Sequence, residues 1–84
     1  KAGTVLYRAL KSARKAKTSG ERNGDVLRSI MLKMLAEEPL VQTHYVSIAD
    51  IDTFEELVEI KGSVRALLAA TIGDARLIDN LLLS

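Results

Sequence analysis

The chain has 84 residues, of which 48% are hydrophobic and 27% are charged, and its formal net charge is +1. This composition is ordinary for a folded globular chain and excludes a disordered segment. The length predicts a single domain over residues 1–84, because it is too short for two independent cores. The chain has no cysteine, which excludes a disulfide framework and a thiolate metal site. No apolar run approaches the ~20 residues that are needed to cross a bilayer.

Charge is unevenly distributed along the chain. Residues 1–22 contain seven basic residues and one acid, whereas residues 23–84 contain five basic residues and ten acids. Such an asymmetry can steer an anionic ligand or a partner surface toward the basic end. A solvated helix face is the simpler interpretation, because Lys and Arg are good helix formers that favour surfaces.

Two helices are predicted in the first half of the chain. Apolar residues recur at helical spacing over residues 4–18, and the first helix is expected to stop at Gly20. Asn23 is the predicted N-cap of a second helix, which ends before Pro39. The short polar turn between the helices predicts an antiparallel hairpin. The apolar stripe of the second helix comprises Val26, Leu27, Ile30, Met31, Met34 and Leu35.

Three strands are predicted in the second half. Residues 41–50 are rich in Val, Thr, Tyr and Ile, which favour strands. Residues 64–72 are nearly all apolar, which predicts a central strand covered on both faces. A last strand is predicted over residues 75–83. The expected fold class is therefore α+β, with a two-helix hairpin packed on a three-stranded, mainly antiparallel sheet in two layers.

The connections between the strands have their own signals. Gly73 and Asp74 fit a two-residue hairpin turn with glycine at the first central position. Residues 52–57 predict a capped helical turn, with Asp52 or Thr53 as the cap and acids in the first turn.

The hairpin turn also predicts the register of the last two strands. If Ile72 pairs with Ala75, then Leu68 lies opposite Asp79, and the more apolar face of the sheet should lie under the helices. Asp79 is then surrounded by apolar neighbours and needs hydrogen-bond donors. Backbone amides or side chains from the first half would supply them, with Arg22 and Tyr7 the leading candidates. The opposite, uncovered face is expected to carry Arg65, Thr71, Arg76 and Asn80.

No catalytic, cofactor-binding or metal-binding constellation is visible in the sequence. His44 has no histidine or cysteine partner and is expected to be structural or exposed. Asp50 and Asp52 are paired carboxylates, for which a turn-and-cap role is a simpler interpretation than cation binding. Gly73 is an isolated glycine rather than a phosphate loop. Tyr7 is expected to pack between helix and sheet with its hydroxyl bonded.

The turn at residues 20–22 has two interpretations. Gly20, Glu21 and Arg22 form either a recognition turn or, more simply, a helix C-cap followed by a salt-bridged turn. The residues with expected structural roles are thus Gly73, Asp79, Tyr7 and Arg22.

Four segments resemble, in chain order, the C-terminal domain of the pantothenate synthetase family, the pantoate–β-alanine ligases. Together with the connecting pattern they cover essentially the whole chain, and the last segment is the most specific. Ser47 stands where an acid is common in the family, and Phe54 stands where leucine is common. The segments are Leu6-Tyr7-Arg8-Ala9-Leu10, Gly20-Glu21-Arg22, residues 45–53 and residues 73–80.

The resemblance implies a function. Enzymes of this family use ATP and magnesium to adenylate pantoate, and β-alanine then attacks the acyl adenylate to give pantothenate and AMP, on the pathway to coenzyme A. The implied partner is the N-terminal nucleotide-binding domain of the same cytoplasmic enzyme, over which this domain would close as a lid. That domain binds ATP, pantoate and β-alanine.

The resemblance also implies what the chain lacks. The family's phosphate loop lies just upstream of Lys1, so no position here inherits a catalytic, cofactor-binding or metal-binding role. The fragment by itself is therefore expected to be inactive.

The alternative is a small module that binds nucleic acid, or another protein, through the basic first helix. The acidic second half of the chain counts against nucleic acid. So does the scarcity of aromatic residues, which are only Tyr7, Tyr45 and Phe54. We therefore expect neither a nucleic-acid partner nor a membrane partner.

Overall fold

The computed structural model describes residues 4–83. Two helices, α1 (Thr4–Thr18) and α2 (Gly24–Ala36), precede three strands, β1 (Val41–Asp50), β2 (Val64–Ile72) and β3 (Ala75–Leu83). The strands form one antiparallel sheet in the order β1-β2-β3. The helices pack against each other and cover one face of this sheet. The predicted α+β class, a two-helix hairpin on a three-stranded antiparallel sheet, is confirmed.

The first helix ends as its glycine predicts. Gly20 has a φ of 114°, a left-handed conformation that glycine adopts without steric cost. The amide of Glu21 donates to the carbonyl of Ala16, and the amide of Gly20 donates to that of Lys17, both at 3.0 Å. This pair of hydrogen bonds satisfies carbonyls that the end of the helix would otherwise leave without donors.

The second helix begins at the predicted cap. The side chain of Asn23 accepts hydrogen bonds from the amides of Asp25 at 2.8 Å and Val26 at 3.3 Å. The apolar stripe is narrower than the sequence suggested, since Val26 is 39% exposed. The fully buried residues of this helix are instead one turn apart, at Leu27, Met31 and Leu35.

The hairpin and its register are confirmed. Gly73 has a φ of 61° while Asp74 has no positive φ, the combination of a two-residue turn with glycine at its first central position. Ile72 pairs with Ala75 and Leu68 pairs with Asp79. The pairing of β1 with β2 shifts by one residue at His44, where the strand has a bulge.

Side-chain alternation divides the sheet into a covered face and an open face. The covered face, under the helices, contributes buried residues to one core, which it shares with α1, α2 and Ile60. The open face carries the polar residues predicted for it, and Arg76 and Asn80 are exposed there. The prediction that the helices leave this face uncovered is confirmed. The buried residues of the covered face are Ile48, Val64, Ala66, Leu68, Ala70 and Leu83.

Two sequence-based predictions about the second half need correction. The helices cover only one face of β2, not both, because the two pack side by side on the same side of the sheet. The expected helical turn at residues 52–57 does not form. Asp50 rather than Asp52 or Thr53 is the capping side chain there, and it closes a tight turn that is followed by Phe54 with a φ of 61°. Glu56 then pairs alongside Ala49 as an isolated bridge.

Candidate functional site

Residues 4–83 contain no group of three His, Cys, Asp or Glu side chains placed to hold a metal ion. His44 is exposed on the sheet, and its Nε2 lies 2.5 Å from the hydroxyl oxygen of Thr71. Neither described helix has the length and hydropathy of a membrane-spanning segment.

Asp50 acts as the cap of a turn. Its Oδ1 accepts hydrogen bonds from the amides of Asp52 at 2.8 Å and Thr53 at 3.0 Å. The amides of Thr53 and Asp52 stabilise the carboxylate, and they hold the pKa of Asp50 below its ordinary value of 3.8. These two hydrogen bonds account for the position of the Asp50 carboxylate, so a bound cation is not needed to explain it.

Tyr7 lies elsewhere than the sequence suggested. Its side chain is 50% exposed on the outer surface of α1 rather than packed between helix and sheet. The ammonium of Lys11, one turn further along the helix, lies 5.3 Å from the centre of the ring. That distance is within the range of a cation–π contact.

Asp79 is half-buried on the covered face, but neither expected side chain is its donor in the described structure. Its Oδ1 accepts a hydrogen bond from the amide of its neighbour, Asn80, at 2.8 Å. Arg22 instead donates to the carbonyls of Lys17 at 3.3 Å and Glu21 at 3.1 Å. The turn between the helices is therefore held by hydrogen bonds to backbone, and the described residues form no salt bridge in this turn.

The helix turn is joined to the loop that connects β1 and β2, which we call the β1–β2 loop (residues 51–63). The amide of Gly24 donates to the carbonyl of Val58 at 2.6 Å, and the amide of Ile60 donates to that of Arg22 at 2.8 Å. A Cβ at Gly24 would lie 2.2 Å from the carbonyl oxygen of Leu57. The absence of a side chain is what allows the two segments to touch.

Arg28 and Glu56 complete this connection. The guanidinium of Arg28 pairs with the carboxylates of Asp25 and Glu56 and donates to the carbonyl of Leu57 at 2.9 Å. Glu56 also accepts from the amide of Ile48 at 2.8 Å and from the hydroxyl of Ser47. One carboxylate thus links α2, β1 and the β1–β2 loop. The sequence analysis missed this pair, because 28 residues separate its members and only the Asp25–Arg28 spacing is visible locally.

The outer surface of α1 is a basic face. Lys17 is buried, and the other four basic residues of α1 lie at the surface. None of the five forms an ion pair within residues 4–83, where the ion pairs involve Arg28 and Lys61. A shallow groove on this surface is lined by cations and hydroxyl groups, with no carboxylate, and this composition suits an anionic neighbour. The lining residues are Lys11, Ser12, Arg14, Lys15, Thr18 and Ser19.

The open face of the sheet is only partly polar. Tyr45 and Ile78 flank Ala69 on β2 in a row across all three strands. Tyr45 is 43% exposed and Ile78 is 63% exposed, while Ala69 is buried between them. Leu67 and Leu82 add apolar surface toward one end of the sheet. This face thus joins apolar side chains to the cations Arg65 and Arg76.

Comparison with known proteins identifies similar chains over nearly the full length. The family model described as Pantoate-beta-alanine ligase matches residues 1–82. The chain is 46% identical, over 99% of its length, to a pantothenate synthetase from Roseiflexus sp. (strain RS-1). It is 40% identical, over 95% of its length, to one from Clostridium botulinum (strain Langeland). It covers 30% and 28% of those two proteins, respectively.

A solved structure has the same fold. The crystal structure of pantothenate synthetase from Thermus thermophilus matches with a TM-score of 0.84 and 30% sequence identity. The match covers 92% of this chain and 28% of that protein. The chain therefore spans less than a third of the length of its relatives, and it corresponds to their C-terminal part.

Proposed function

The chain belongs to the pantoate-beta-alanine ligase family, and we propose that residues 1–84 form a single domain that closes as a lid over the active site of such an enzyme. The enzyme would join pantoate to β-alanine at the expense of ATP, in the cytoplasm. The observation that carries the proposal is the extent of the matches. They cover almost all of this chain but less than a third of each relative.

The reactants would be bound by the larger part of the enzyme. The described residues have neither a glycine-rich phosphate loop nor a group of metal ligands, so they do not fit a resident ATP or magnesium site. ATP would transfer its adenylyl group to the pantoate carboxylate and release pyrophosphate. The amine of β-alanine would then displace AMP to form the amide. Both steps are proposed for the larger domain.

The role of this domain would be to exclude water. An acyl adenylate hydrolyses if water reaches it before the amine does, and closure of a lid is a common way to prevent that. A lid must move as one body. The single core of residues 4–83, together with the Arg28–Glu56 connection, supports such rigidity.

The alternative from the sequence, a module that binds nucleic acid or another protein through the basic helix, is not favoured. The matched relatives are pantothenate synthetases. The described aromatic side chains are also dispersed, on α1, on β1 and in the β1–β2 loop, and do not form a stacking surface.

The test compares the full-length enzyme with a form that ends before this domain. Both are incubated with ATP, magnesium, pantoate and β-alanine, and AMP and pantothenate are measured separately. The full-length enzyme should release them in equal amounts. The truncated form should release AMP in excess of pantothenate, because water competes for the intermediate. Circular dichroism checks that the truncated form is folded.

Two outcomes would contradict the proposal. Equal amounts of AMP and pantothenate, at an unchanged rate, from the truncated form would contradict the lid. A full-length protein that makes no pantothenate would contradict the enzyme assignment.

A further inference from the structure

The open face of the sheet does not have the pattern of a solvent-exposed face. An antiparallel sheet with one side in water normally alternates apolar and polar residues along each strand. On β2, however, both Leu67 and Ala69 point to the open side, and the neighbouring strands add Tyr45, Ile78 and Leu82. The last three are 43%, 63% and 45% exposed.

These apolar side chains are contiguous. Ile78 and Tyr45 lie directly opposite Ala69 on the two sides of β2, and Leu67 is two residues from Ala69 on the same face. Directly opposed residues on neighbouring strands are about 5 Å apart, so their side chains form one surface. A contiguous apolar surface on a folded domain marks a place where another surface packs.

The charged strand residues on the open face are of one sign, and the loop carboxylate that contacts Ser47 at the edge of this face, Glu56, is paired with Arg28. Arg65 and Arg76 are its charged strand residues, and Arg65 donates to Asn80 at 2.8 Å. No strand residue on this face carries a carboxylate. A partner for this face should therefore offer an apolar patch bordered by carboxylates.

The outer surface of the helices is less suitable for close packing. The basic face of α1 is lined by cations and hydroxyl groups, which would have to lose hydration in an interface. On α2, Val26 and Ile30 share a groove with Asp25 and Lys33, so the apolar surface there is bordered by charges of both signs.

We propose that the larger N-terminal part of the same polypeptide packs against the open face of the sheet when the lid closes. The proposal rests on the proposed function. The relatives indicate which surface packs against the open face. This chain matches 30% of the Roseiflexus protein, so about 70% of that protein lies outside the matched region. A tethered partner has a millimolar effective concentration, so a modest apolar surface with two cations is enough to dock it. This docking would also explain why β2 is nearly all apolar, because its open face would be covered by a part of the enzyme outside residues 1–84.

Site-specific labelling of the full-length enzyme tests the docking face. Three variants each place one cysteine at an exposed position: Ile78→Cys on the open face, Leu32→Cys on α2 and Lys15→Cys on α1. Each reacts with a maleimide in the presence of ATP, magnesium and pantoate, and mass spectrometry measures labelling at each position. Ile78→Cys should react about tenfold more slowly than Leu32→Cys, because an open state populated at or below roughly 10% limits access. Without ligands the difference should shrink.

Other results would contradict the proposal. Equal labelling at the three positions, or protection of Lys15→Cys or Leu32→Cys instead, would mean that the open face is not the docking surface. Protection of Ile78→Cys that rises with protein concentration would identify a second copy as the occupant. Pantothenate formation by the same preparations separates the two hypotheses. An active enzyme with an unprotected Ile78→Cys disproves only the docking face, whereas a full-length protein without activity disproves the proposed function.

Discussion

At the scale of single residues, Gly24 is the glycine within residues 4–83 whose added Cβ would meet the closest neighbour. Its φ is not in the left-handed region, so the need for glycine there is a need for space. A methyl group would overlap the carbonyl oxygen of Leu57 at 2.2 Å, and neither segment can withdraw without losing the hydrogen bond from Gly24 to Val58.

We expect Gly24→Ala to destabilise the chain by about 1–3 kcal/mol, the usual cost of overpacking a tight contact. The loss should appear although alanine is the better helix former. Ser29→Ala, on the exposed side of the same helix, is the matched control and should change stability by no more than about 0.5 kcal/mol. Urea denaturation of both variants measures the difference, and equal midpoints would refute the steric argument.

Asp50 gives the chain a specific acid sensitivity. The amides of Thr53 and Asp52 lower the pKa of its carboxyl below 3.8 in the folded state. A lowered folded-state pKa contributes stability that is complete above the unfolded pKa and is lost as the pH falls through the folded one. Stability should therefore fall below about pH 4 in the natural chain, and less steeply in Asp50→Asn, which keeps an acceptor oxygen but does not titrate. Thermal unfolding between pH 7 and pH 2 measures both slopes. Parallel slopes would show that Asp50 is not the responsible group.

Asp79 remains a residue for which we predict a structural role. Asp79→Ala removes the acceptor of the Asn80 amide and should cost about 1 kcal/mol, the net value of one hydrogen bond. Asp79→Asn keeps an acceptor and should cost less. In the full-length enzyme, turnover should fall only as far as folding does. A large loss of turnover in a fully stable Asp79→Ala enzyme would instead indicate that this carboxylate serves the reaction.

Among the elements, the β1–β2 loop is held by backbone hydrogen bonds and by the side chain of Glu56. Glu56 accepts from Arg28 on α2 and from Ser47 and Ile48 on β1, while the loop itself has no regular secondary structure. The connection also places an acceptor beside Arg28, whose side chain is only 15% exposed.

Glu56→Ala should therefore loosen the loop beside β1, while its backbone hydrogen bonds to the helix turn and the sheet remain. The amide of Ile48 loses its acceptor, and the free energy of unfolding should fall by about 1–3 kcal/mol, the cost of leaving a donor unsatisfied. Hydrogen exchange at Ile48 should accelerate more than exchange at Leu68 in the central strand. Glu55→Ala is the control, because the Glu55 side chain accepts from Thr53 and not from Ile48 among residues 4–83, and it should leave Ile48 protected. Unchanged exchange in Glu56→Ala would remove the basis for this role.

For the whole molecule, the absence of a nucleotide-binding loop within the described residues leads to a simple prediction. The isolated chain should neither bind ATP with micromolar affinity nor release AMP in the presence of pantoate and β-alanine. Isothermal calorimetry with ATP and magnesium, together with a coupled AMP assay, measures both. The basic face of α1 should give at most weak binding that disappears as salt is added, because exposed charges are screened. Turnover by the isolated chain would contradict the proposal that the larger part of the enzyme performs both chemical steps.

Local patterns in the amino-acid sequence were enough to set the elements and the order in which they pair. Helix ends follow from local chemistry at Gly20 and Asn23, and the hairpin follows from glycine at position 73, whose φ is positive. The two-residue turn then fixed the register of β2 and β3, because a shift by one residue would place every side chain on the opposite face. The family resemblance also rested on local segments, and it needed no tertiary information.

The contacts between residues that are distant in sequence became visible only in the folded chain. Arg28 meets Glu56, and Gly24 meets Leu57, because the helix turn and the β1–β2 loop reach the same end of the sheet. The loop formed a turn capped by Asp50 because Glu56 pairs beside Ala49, and this tertiary pairing overrides a local helical preference. The fold likewise leaves the second face of β2 without a cover among the described residues, since both helices lie on the first. Neither packing nor long-range pairing is encoded in a local pattern, since each depends on which surfaces the whole chain brings together.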